Sequence, residues 1–116
     1  MTYTIPQIPP SLNKFAGREN TWEYRKIKQE WKDIVAAYCR PKPINPIAKC
    51  VVTITYYFPD RRRHDPDNYA GKQLLDGLVT NGIIADDSFN CIDLILRGDY
   101  DKRNPRTEIQ ITQGDI

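Results

Sequence analysis

The run AKCVVTITYYF, residues 48–58, constrains the fold more than any other stretch. β-Branched and aromatic residues fill it, which favours a strand. Cys50, Val52, Ile54, Tyr56 and Phe58 fall on one alternating face, and Val51, Thr53, Thr55 and Tyr57 on the other. Neither face is strongly polar, so the strand reads as central, with neighbours on both sides. The rest of the chain must supply them. Residues 2–8 alternate, with Tyr3 and Ile5 apolar, and predict a short first strand stopped by Pro6, Pro9 and Pro10. Residues 91–100 predict a third, with Ile92, Leu94 and Leu96 inward. Residues 107–112 predict the last, with Ile109 and Ile111 inward, after a polar turn over 99–105.

Two segments carry helical periodicity. Tyr24, Ile27, Trp31, Ile34, Val35 and Tyr38 share one face of a helix expected over residues 21–38. Asn20 and Glu23 have capping-box spacing at its start. Pro41, Pro43 and Pro46 then mark a loop. A second helix is expected over residues 68–80, with Leu74, Leu75, Leu78 and Val79 as its buried stripe and Asn81-Gly82 as its stop. The order β-α-β-α-β-β predicts an α+β fold, with a small mixed sheet and both helices packed on it. Its 116 residues suit one domain, 1–116, with a modest core. The pattern does not determine strand order.

The net charge of +2 excludes a strongly basic coating protein. Cys39, Cys50 and Cys91 are odd in number and lack C-x-x-C spacing, which argues against a disulfide framework or zinc site. Cys50 and Cys91 read as small buried thiols, and His64 as an exposed loop residue. No apolar run approaches the roughly 20 residues of a membrane span, and no signal peptide is visible. A cytoplasmic protein is expected.

The central strand runs directly into RRRHDPDNYAGKQLLDGLVTNGIIADD, residues 61–87. Crowded acids repel unless a cation or proton relieves them. Pro66 disfavours the α region for Asp65, so Asp65 should be extended and point to the same side as Asp67. Asp67 stands where a helix N-cap would be. Read singly, D-P-D-N and Asp86-Asp87-Ser88 are turn chemistry and the arginines a solvated loop. Together the acids bracket one short helix, and a sparse oxygen set with adjacent cations suits a divalent metal working on a phosphate.

The chain resembles the RusA family of Holliday-junction resolvases, the crossover junction endodeoxyribonucleases. The resemblance runs from P-P-S-x-N at Pro9 to Asn13 into the final strands. It is densest at D-x-D-N (Asp65 to Asn68), K-x-x-L-D (Lys72 to Asp76) and D-D (Asp86-Asp87). It implies a RusA-like homodimer in the cytoplasm of a bacterium, or phage-encoded. Such a dimer binds four-way DNA junctions and resolves them by paired symmetric nicks in recombination and repair. Asp65, Asp67 and Asp87 match the catalytic, metal-holding carboxylates and Lys72 the catalytic lysine. Mg²⁺ is the implied cofactor, with Mn²⁺ able to substitute. Asn13, Lys14, Arg61, Arg62 and Arg63 would contact DNA, positioning it rather than reading sequence. An extra residue around Ala70-Gly71 separates D-P-D-N from the lysine, and Gly71, a poor helix former, favours a late helix start. Two alternatives stand beside the resolvase: a related nuclease cutting flaps or forks, and a non-catalytic metal-stabilised DNA-binding module.

Overall fold

A computed structural model describes residues 1–12 and 21–114. Asn13, Lys14 and Asn20 lie outside the described residues. The strands are β1 (Thr2–Ile5), β2 (Cys50–Phe58), β3 (Ile92–Tyr100) and β4 (Arg106–Gln113), and the helices α1 (Trp22–Tyr38) and α2 (Lys72–Thr80). The strands form one sheet in the order β1-β4-β2-β3, so β2 has neighbours on both sides, as expected of a strand with no strongly polar face. β4 pairs antiparallel with both β1 and β2, whereas β2 and β3 are parallel, from Cys50 opposite Ile92 to Phe58 opposite Tyr100. A parallel pair needs a crossover connection, which α2 and the turn before it provide.

One face of the sheet carries the core. Cys50, Val52, Ile54, Tyr56 and Phe58 of β2 are all buried, and the residues between them are only partly covered. Ile109 and Ile111 of β4 and Tyr3 and Ile5 of β1 extend the same layer. Trp31 and Val35 of α1 and Leu74 and Leu78 of α2 close over it. Each fully buried Leu or Val contributes about 1.5–3 kcal/mol relative to exposure. The helices touch where Gly77 faces Val35: a Cβ on Gly77 would lie 2.8 Å from Val35 Cγ2.

The elements start and stop for local reasons, some unlike those expected. Thr21 rather than Asn20 caps α1: its hydroxyl accepts a hydrogen bond from the Tyr24 amide at 3.2 Å. The second helical region is broken. Pro66–Tyr69 form a 3-10 turn, and α2 begins only at Lys72, after Gly71 in the left-handed region at φ 84°. Asp67 therefore does not cap α2; it lies inside the 3-10 turn. A Cβ on Gly71 would meet Ile54 Cδ1 at 2.8 Å, so glycine serves both the turn and the packing.

β3 departs furthest from expectation. Ile92 is buried as predicted, but Leu94 is 37% exposed and Leu96 only half-buried, and Ile95 on the other face is 40% exposed. β3 is an edge strand, and α1 and α2 close over β2, β4 and β1 instead. Cys91 is likewise half-exposed, and all three cysteines are free thiols, as their spacing implied.

Candidate active site

The chain leaves β2 at Phe58 and folds back on itself. His64 stacks on Phe58 with ring centroids 3.8 Å apart and planes 4° apart, and its Nε2 lies 3.2 Å from Asp60 Oδ1. His64 is thus packed, not the exposed loop residue expected. Tyr69 of the 3-10 turn meets Phe58 edge-on at 5.1 Å and His64 at 5.7 Å. Such edge-to-face contacts add about 0.5–1.5 kcal/mol beyond burial. This aromatic cluster seats the acidic turn against the sheet. Tyr56 lies beneath it, its phenol pKa pushed up by burial and, secondarily, by Tyr69.

Asp65 has the extended backbone that Pro66 demands, φ −94° and ψ 134°, and its carbonyl accepts the Asn68 amide at 3.0 Å. Its carboxylate receives Arg63 Nε at 2.9 Å. That bond, with the Asp65 charge and then Asp67 nearby, raises the Arg63 guanidinium above its ordinary pKa. The turn thus brings Asp65, Asp67 and Arg63 together. Arg62 pairs with Asp60 at 3.2 Å, and the Arg61 guanidinium lies 4.2 Å from the Tyr100 ring centroid. Hydrogen bonds from the Arg62 side chain and amide, with His64, hold the Asp60 carboxyl below its usual range.

Asp65 opens onto a cleft lined by Tyr56, Phe58, His64, Tyr69 and the β3 residues Leu96, Arg97 and Gly98. Asp87 lines a second cleft with Leu75, Ser88, Phe89, Ile92 and Leu94. Ile92, Leu94, Leu96 and Gly98 alternate along the helix-bearing face of β3, so both clefts open on that face. Among the described residues no three His, Cys, Asp or Glu side chains are grouped closely enough to hold a metal ion. Asp65 and Asp67 share a turn, and Asp87 lines the second cleft. In kind the set fits a hard divalent cation: three carboxylates, Asp67 and Asp87 exposed and Asp65 partly so. Lys72 opens α2 with its Nζ 5.6 Å from the Tyr24 ring centroid, directed toward α1.

Sequence reasoning missed His64 and Tyr69. Arg97 borders the Asp65 cleft between Leu96 and Gly98, but alternation along β3 sets its side chain on the opposite face of the sheet. The stacking of His64 depends on the chain folding back onto Phe58, and spacing does not report that.

An acidic turn carrying its own guanidinium suits a protein that works on phosphodiesters. The family model described as Endodeoxyribonuclease RusA matches residues 5–112, nearly the whole chain. The protein belongs to the RusA endodeoxyribonuclease family, a family of nucleases. Comparison with individually curated proteins gave no match.

Proposed function

We propose that the protein is a Mg²⁺-dependent, structure-selective endonuclease that resolves four-way DNA junctions in recombination and repair, acting as a homodimer through paired nicks. The observation that carries this reading is the 3-10 turn. It sets Asp65 and Asp67 beside Arg63 on a chain matched to the RusA model from residue 5 to residue 112.

Asp65, Asp67 and Asp87 would hold the metal, which when bound supplies an activated water and stabilises charge on the scissile phosphate. Lys72 neutralises charge growing on that phosphate. Arg61, Arg62 and Arg63, with Asn13 and Lys14, hold the DNA backbone. Arg63 is 88% exposed, so it can reach a phosphate as well as Asp65. A two-fold dimer suits the near two-fold symmetry of the junction and brings one acidic set to each of two opposed strands.

The test is cleavage of a labelled four-way junction against matched duplex and flap in Mg²⁺ or Mn²⁺. Symmetric nicks confined to the junction are expected. Equal cutting of the flap would favour a less selective nuclease. Binding without any cleavage would favour a binding module.

A further inference from the structure

β3 is an edge strand of nine residues, and among the described residues nothing pairs with its outer side. An open edge of this length, bearing Leu94 and Ile95 at 37% and 40% exposure, is a template for another strand. Its charges point to the occupant. Asp93, Ile95 and Arg97 alternate along the helix-free face of the sheet, all exposed, with Ile95 midway between opposite charges.

We propose that a second copy of this chain pairs here, β3 against β3, antiparallel and centred on Ile95. This rests on the dimer in the reading above and adds its surface and register. Asp93 then faces the partner's Arg97, Ile95 faces the partner's Ile95 on the two-fold axis, and Leu94 faces the partner's Leu96 on the other face. Opposite-charge and apolar cross-strand pairs stabilise a sheet, and like charges placed opposite each other do the reverse. Moving the centre to Leu96 sets Asp93 against the partner's Asp99. Moving it to Leu94 leaves Asp93 opposite the partner's Ile95. Of these three, only the register on Ile95 sets Asp93 opposite Arg97; it also pairs Leu94 with Leu96, and it leaves Asp99 opposite the partner's Cys91.

The arrangement also serves the site. With the two-fold axis normal to the sheet, the four strands of each copy join into one continuous sheet with all helices on the same side. Both clefts of each copy, the one with Asp65 and the one with Asp87, then open on that common side, where a single DNA junction can lie across two acidic turns.

The test is sedimentation of the intact protein at micromolar concentration without DNA or metal, so its outcome is independent of cleavage. The wild type should sediment as a dimer. Ile95→Asp, which sets two carboxylates on the axis at a half-exposed position, should weaken dimerisation at least roughly tenfold. Asp93→Arg and Arg97→Asp should each weaken it by a similar factor, and the double variant should restore it, because each new Arg meets a new Asp. A monomeric wild type, an Ile95→Asp protein as dimeric as wild type, or a double variant no better than the singles would overturn the proposal. A β3-paired dimer that cuts no junction would leave this surface standing and refute the nuclease reading.

Discussion

Asp65 was legible from Pro66 alone, because the restriction proline places on its predecessor is local. Gly71 was half-legible. Its low helix propensity pointed to a late start, but the left-handed φ and the approach of Ile54 Cδ1 are tertiary facts. Gly71→Ala meets both penalties and should lower stability by about 1–3 kcal/mol, measurable by urea titration. An unchanged midpoint would show that the turn relaxes freely. Lys72 is the residue whose assignment the extra position before it most affects, since it follows Gly71 directly and leans toward Tyr24. If it neutralises the scissile phosphate, Lys72→Ala should lose at least ~100-fold in cleavage rate with junction binding little changed. A loss of only a few-fold would transfer the role to another cation, with Arg63, hydrogen-bonded to Asp65, the first candidate.

Among the elements, β2 was readable as central because neither of its faces is strongly polar, a property the strand carries in itself. β3 was not readable as an edge. Ile92, Leu94 and Leu96 have the alternation of a buried face, but which strand lies at the rim depends on how the crossover through α2 packs. The contact between α1 and α2 makes a prediction of opposite sign to propensity. Gly77→Ala would favour an isolated helix by about 1 kcal/mol. Here the added methyl meets Val35, whose Cβ and Cγ2 lie within 3.0 Å of it, in a fully buried contact. A net loss of about 1–3 kcal/mol is expected from overpacking, read as a lower thermal midpoint. A higher midpoint would mean that the helices separate at little cost.

For the whole molecule, the architecture places Asp65 and Asp67 on one turn beside Arg63, and Asp87 in a second cleft. D-x-D-N and D-D announced the acids in the sequence; their separation between two clefts did not show, because it depends on where α2 delivers the chain. The account holds that affinity comes from Arg and Lys contacts and chemistry from the carboxylates. Asp67 tests this cleanly, since it is exposed, does not cap α2, and becomes Asn with no change of size. The decisive measurement is junction nicking and junction binding by Asp67→Asn beside wild type, across a salt series. Wild type should nick in Mg²⁺. Asp67→Asn should not, while binding as tightly and weakening with salt in parallel, because counterion release does not depend on the catalytic acids. Nicking by Asp67→Asn at the wild-type rate, or a wild type that binds junctions yet stays inactive in both Mg²⁺ and Mn²⁺, would contradict the account.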